Sequence, residues 1–175
     1  MTLQNILEKA TELLNIDVDF SQSGEEQTLL IGCGREVLNR LVEEYVDIKN
    51  EKSITTIDKT ISYASLGSIL NPVKRVISVS KDGEKRKFTE FKTYIKVAED
   101  GYYDVVYSEL MPSLNLSSTI ILPPKYTVSI LSCGVASAYC LRKGLLDEAQ
   151  IYETRFINAL NNLTQPVRSI VIGER

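Results

Sequence analysis

The chain has 175 residues, 43% of them hydrophobic and 25% charged, with a formal net charge of −3, which is ample for one globular domain or one domain with an insertion. It contains no histidine, and this excludes Ser-His-Asp and Cys-His nucleophile pairs, the usual zinc sites and the commonest general base near neutral pH. Charge is unevenly placed: residues 1–50 carry 4 basic and 10 acidic side chains, residues 51–125 carry 11 and 9, and residues 126–175 carry 5 and 4, a pattern that suits complementary faces in self-assembly more than a nucleic-acid surface.

The opening run, MTLQNILEKATELL, places Leu3, Ile6, Leu7, Ala10, Leu13 and Leu14 at helical spacing behind Thr2 as N-cap. Glu8 and Glu12 interrupt its apolar pattern and no basic run precedes it, so it reads as a helix and not a signal peptide, with synthesis inside the cell expected. A polar, turn-rich connection leads to a second helix, which Ser23 is expected to cap with Glu26 in a capping box. Leu30, Cys33, Val37, Leu38, Leu41 and Tyr45 run down its inner face. Gly32 and Gly34 inside that helix cost roughly 1 kcal/mol each against alanine, and their expected use is the close approach of another helix. A phosphate loop would need a preceding strand or a following Lys-Ser/Thr pair, and neither is there.

After Asn50 the period changes from helical to alternating. Ile57, Ile61 and Tyr63 alternate and predict a strand over 54–65. Val73, Val76, Ile77 and Val79 predict another, closed by Asp82-Gly83, and Phe88 and Phe91 mark a short segment. Asp100-Gly101 between KTYIKVA and YDVVYSE reads as a hairpin that would pair Ile95 with Val106 and Tyr94 with Tyr107. Residues 53–110 are therefore expected to form a small antiparallel sheet.

Residues 124–163 predict two antiparallel helices. Pro123-Pro124 suits a helix start, Val128, Leu131, Val135, Ala138 and Leu141 give one apolar stripe, and Gly144 is placed as a left-handed stop. Asp147 and Glu148 open the second helix, whose stripe is Ala149, Tyr152, Phe156, Ala159 or Leu160, and Leu163. So short a turn forces the helices side by side. Pro166 closes the hairpin and leaves VRSIVIGER as a tail, expected to dock on its own domain or a neighbouring chain.

The fold class expected is α+β, a predominantly helical core of two αα-hairpins with an inserted antiparallel β-sheet and an extended C-terminal tail. The parts run 1–50, 53–110, 124–163 and 164–175 within one structural domain. No apolar run approaches the roughly 20 residues that span a bilayer.

Few residues propose chemistry. Cys33, Cys133 and Cys140 are too few and too scattered for a disulfide framework or metal motif and read as small buried hydrophobes. Lys81, Lys85, Arg86, Lys87, Lys92 and Lys96, interrupted by Asp82, Glu84 and Glu90, form a basic run that reads as a solvated turn, a contact with an acidic partner or, without any recognised reading module, a site for nucleic-acid phosphate. Tyr94, Tyr102, Tyr103 and Tyr107 suit sheet packing or a protein interface more than a base-stacking platform. Asp17 and Asp19 alone would make a poor magnesium site. No catalytic residue, cofactor or metal is expected.

As an order of parts the chain resembles the head–tail connector adaptors, or head-completion and neck proteins, of tailed bacteriophages. The resemblance lies in the N-terminal helical pair, the strand-rich insertion, and the closing stretch SAYCLRKGLLDEAQIYETRFINAL with its basic tail residues Arg168 and Arg175. It implies a virion structural protein made in the host bacterial cytoplasm, assembled as a homo-oligomeric ring, commonly of twelve copies. Such a ring sits between the portal protein and the tail or a second neck protein and extends the channel through which DNA passes without sequence-specific binding. Contacts are then expected at Arg168, Ile170, Ile172, Arg175, Lys85, Arg86, Lys87, Tyr94 and Tyr107, with no membrane and no enzymatic activity. The competing expectation is a small intracellular α+β interaction or regulatory module that binds a host protein or nucleic acid.

Overall fold

The structure, a computed structural model, describes residues 1–68, 71–112 and 114–164. The fold is α+β. The described residues fall into two units, Met1–Val37 with the chain from Leu116 onward, and Leu38–Asn115. The expected tail, residues 165–175, lies outside the described residues.

The first unit is helical. α1 (Leu3–Leu14) starts where the Thr2 side chain accepts from Asn5 N and Asn5 accepts from Thr2 N, so the capping box uses asparagine. It ends at Asn15, which sits in the left-handed region at φ 53°. α2 (Glu25–Glu44) begins two residues past the expected Ser23 cap, with the Gly24 carbonyl accepting from both the amide and hydroxyl of Thr28. α4 (Val128–Arg142) and α5 (Leu146–Thr164) form the expected αα-hairpin. It starts later than the proline pair suggests: Thr127 caps the helix by accepting from Ile130 N, and the prolines form the turn before it. Gly144 closes α4 at φ 78°, and the Leu145 amide reaches back to Cys140 O at 2.9 Å.

α4 is the axis of this unit. Its buried residues, Leu131, Ser132, Gly134, Val135, Ala136, Ser137, Tyr139 and Cys140, go well beyond a single stripe. A helix buried on so much of its surface needs small side chains where neighbours cross and hydroxyls with backbone partners. The Ser132 hydroxyl donates to Ile6 O of α1 at 2.9 Å, and the Ser137 hydroxyl donates to Ala149 O of α5 at 3.0 Å. A β-carbon on Gly134 would lie 2.8 Å from Val37 of α2 and 3.2 Å from the Phe156 ring of α5. Gly34 plays the corresponding part toward α1, since a β-carbon there would meet Leu3 and Leu7 at 2.9 Å. The close approach expected of the α2 glycines is thus realised at Gly34. Phe156 and Leu160 are fully enclosed, each contributing about 1.5–3 kcal/mol of burial.

The second unit contains α2 from Leu38 onward and the strands. A four-stranded antiparallel sheet has the order β1 (Ile48–Thr55), β7 (Tyr102–Glu109), β3 (Val73–Lys81), β4 (Glu84–Arg86). A three-stranded sheet has the order β2 (Thr60–Ser62), β6 (Tyr94–Val97), β5 (Phe88–Glu90). Only Lys87 separates β4 from β5, so one extended run passes from the first sheet to the second. Their shared core is Ile61, Leu66, Val76, Val79, Ile95, Val97, Tyr103, Val105 and Tyr107. The Asp82-Gly83 turn joins β3 to β4 as expected, with both residues at positive φ.

Three expectations for this unit are corrected. The single sheet is two, and Asp100-Gly101 does not join a paired hairpin. Ile95 pairs with Ile61 and Glu90, while Val106 pairs with Glu51 and Ser78. The Asp100 carboxylate accepts from Lys59 N at 2.6 Å and from the Thr56 hydroxyl at 3.3 Å, which ties this turn to the β1–β2 turn and sends β6 and β7 apart. The strand expected over 54–65 is also broken. Asp58 and Lys59 turn the chain at positive φ, and Tyr63 opens a short helix, α3 (Tyr63–Leu66), capped by Ser62.

Candidate functional site

The basic end of α4 is held against α2. Glu26 accepts from the Tyr139 hydroxyl and from Lys143 Nζ at 2.9 Å, and the Lys143 ammonium also lies over the Tyr139 ring, 5.5 Å from its centre. Arg142 donates to Glu36 at 2.7 Å. The Tyr139 hydrogen bond, with help from Lys143, holds Glu26 below the ordinary carboxylate range. Burial, assisted by Glu26, pushes the Tyr139 phenol up to about 12.

With its cations engaged on α2, the hairpin turn leaves its apolar side chains in water. Leu141 is 61% exposed, Leu145 46%, Leu146 64% and Ile151 53%. The exposure of Leu141 corrects its place in the expected buried stripe. The contacts with α5 come from Gly134, against Phe156, and Ser137, bonded to Ala149 O, earlier in α4, while Leu141 stays exposed. Leucines gathered at one turn in water mark a contact surface more readily than leucines scattered singly.

The second candidate is on the β unit. Lys96 of β6 stands in register between Thr60 of β2 and Thr89 of β5. Lys87, at the passage between sheets, and Lys59, in the turn before β2, join it along a shallow groove over Thr89 and Val97. All three lysines are exposed, and no carboxylate lines the groove among the described residues.

Of the residues expected at an interface, Lys85, Arg86 and Lys87 are exposed, with Arg86 paired to Glu84 at 3.0 Å. Tyr94 is half-buried and stacks on Phe91 with ring centres 4.7 Å apart. Tyr107 is a correction. It is 5% exposed, and its hydroxyl donates to Leu66 O at 2.9 Å, so it holds α3 inside the β unit and offers nothing to a partner. Arg168, Ile170, Ile172 and Arg175 lie outside the described residues.

Burial pushes the thiols of Cys33, Cys133 and Cys140 up, which leaves them poor nucleophiles near neutral pH. Among the described residues no three Cys, Asp or Glu side chains come together as a metal set, and no helix is long and apolar enough to cross a membrane. A comparison with known protein families finds no family model that matches the chain. A comparison with curated proteins finds no significant similarity.

Proposed function

We propose that this protein is a structural subunit of a tailed-phage virion, a head–tail connector adaptor. In this reading it forms an oligomeric ring between portal and tail and continues the DNA channel. The observation that carries the reading is the exposure of Leu141, Leu145 and Leu146 at the hairpin turn and of Ile151 further along α5. All four sit on the very hairpin whose sequence resembles that of the adaptors. A monomer gains nothing from four large aliphatic side chains in water, whereas a subunit contact buries them. Covering the exposed half of each is worth about 1 kcal/mol, and the contact recurs at every position around a ring.

Other properties support the same reading. A ring subunit acts by position, so it needs no nucleophile, general base or cofactor. The net charge of −3 suits a channel through which DNA must slide without sticking. The competing reading, a monomeric or dimeric module for a host protein or nucleic acid, draws on the lysine groove.

The test is co-sedimentation with the portal ring of the same phage. The adaptor reading expects the protein to travel with the portal at a fixed stoichiometry, and the Leu145→Ser/Leu146→Ser variant to be folded but absent from that fraction. A wild-type protein that stays at the top of the gradient at every concentration sinks the reading.

A further inference from the structure

The lysine groove has a counterpart of opposite sign on the same chain. Along α1 and the loop after it, Glu8, Glu12, Asp17 and Asp19 line a second groove whose walls carry no cation among the described residues. Glu8 accepts from Gln4 at 2.8 Å, Glu12 pairs with Lys9 at the rim, and Asp19 accepts from the amide and hydroxyl of Ser21 at 2.8 and 2.6 Å. Those Ser21 bonds hold the Asp19 carboxyl below its usual range. Asp17 has no partner among the described residues. In the lysine groove, the ammonium groups of Lys87 and Lys96 are likewise unpartnered among the described residues, and Lys59 is engaged only through its backbone, its amide donating to Asp100 and its carbonyl accepting from Val97 N at 2.9 Å, apart from its field on Glu99.

We propose that the lysine groove of one copy seats on the Glu8–Asp19 groove of the next copy, as a head-to-tail contact. Two different patches of one chain that fit each other give a heterologous interface, the kind that closes into a ring when the rotation allows. The pairing rests on the ring reading above and names the electrostatic part of its subunit joint.

The occupant is a second copy and not a nucleic acid for two reasons. Binding that depends on phosphates commonly engages about 6–10 of them, and three lysines fall short of that. Glu90, next to Thr89 on β5, and Glu99, two residues past β6, also stand close by, and would repel a polyanion running along the sheet. A discrete patch of carboxylates avoids them.

Charge reversal with complementation tests the proposal. One variant is Lys59→Glu/Lys87→Glu/Lys96→Glu, the other Glu8→Lys/Asp17→Lys. Every substituted side chain is exposed, and circular dichroism checks that both fold. In sedimentation velocity at low salt, each variant alone should associate about 10–100-fold more weakly than wild type. Mixing the two should restore association to within a few-fold of wild type, because each reversed groove then faces its opposite. Raising the salt should weaken the wild type and the mixture alike. If wild type assembles while both variants assemble equally well, or if the mixture stays dissociated, the pairing is wrong and the ring reading survives. If wild type is monomeric throughout, both fail together. Labelled single-stranded and duplex DNA form the control: tight binding by wild type that the triple-lysine variant loses would assign the groove to nucleic acid and overturn the proposal.

Discussion

Three glycine-to-alanine substitutions separate helix propensity from packing, because the backbone gain is the same at each site and the surroundings differ. All three sit inside helices, where alanine is favoured by about 1 kcal/mol. At Gly32 the new methyl would find only the Arg142 guanidinium at 3.5 Å, an ordinary contact, so Gly32→Ala should stabilise by about 0.5–1 kcal/mol. At Gly34 the methyl would meet the tips of Leu3 and Leu7 at 2.9 Å. Leu3 and Leu7 are as enclosed as Phe156, but only their rotatable tips are touched, so gain and cost should nearly cancel. At Gly134 it would press on Val37 at 2.8 Å and on the Phe156 ring at 3.2 Å. Neither can retreat, since valine is stiff at χ1 and Phe156 is 1% exposed. Overpacking of this kind costs about 1–3 kcal/mol, so against an alanine gain of about 1 kcal/mol Gly134→Ala should lose up to about 2 kcal/mol net. For a chain of this length 1 kcal/mol moves Tm by about 2–4 °C. Thermal unfolding followed by circular dichroism should rank Gly32→Ala above wild type and Gly134→Ala below it, with Gly34→Ala near wild type. A Gly134→Ala protein at least as stable as Gly32→Ala would refute the close packing of α2, α4 and α5 around Gly134.

Two further predictions concern charge. Tyr139 has a folded pKa raised to about 12 from an unfolded value near 10, so the folded form holds its proton longer. The stability this represents is complete below about pH 10 and is lost as pH rises toward 12, about 2–3 kcal/mol in all. Glu26 is depressed, so its contribution is present above the unfolded carboxylate range and is lost as pH falls through the folded value. Tyr139→Phe should flatten the alkaline limb of a denaturant-midpoint profile, and an unchanged limb would show that Tyr139 does not set it. In the β unit, Lys74 Nζ donates to Val42 O at 2.7 Å and Val46 O at 3.4 Å and pairs with Asp47 at 3.3 Å, closing the C-terminal end of α2. Lys74→Met keeps the stem and removes the charge, and should cost about 1–2 kcal/mol. Urea unfolding with no shift in midpoint would show that those carbonyls find other partners.

What the sequence revealed and what it concealed divide by the range of the interactions that decide each feature. Thr2, Gly144 and the Asp82-Gly83 turn were readable because caps and turns depend on a few adjacent residues. The αα-hairpin was readable because so short a turn leaves no other arrangement. Asp100-Gly101 misled because a turn signal says that the chain reverses, not which strands pair. That choice falls to the Asp100 carboxylate, bound to Lys59 and Thr56 more than 40 positions away. Tyr107 looked like an interface residue because tyrosine suits both roles, and only the fold of the β unit shows it facing inward. Leu141 fitted a helical stripe, yet the buried faces of α4 are set by three neighbouring helices, information no single period contains. The lysine groove joins residues 59, 87 and 96 from three stretches of chain. Its visible trace was the basic run after Lys81, which included Lys87 and Lys96 but gave no sign that Lys59 joins them in space.

The most direct test of the central claim is the native mass of the 175-residue chain, measured across concentration and from low to high salt. A ring subunit should form a closed oligomer at one fixed multiple of the 19.6 kDa chain mass, twelvefold on the family resemblance, that salt weakens and Leu145→Ser/Leu146→Ser dissolves. A single species at 19.6 kDa under every condition, with the portal present as well as absent, would contradict the ring.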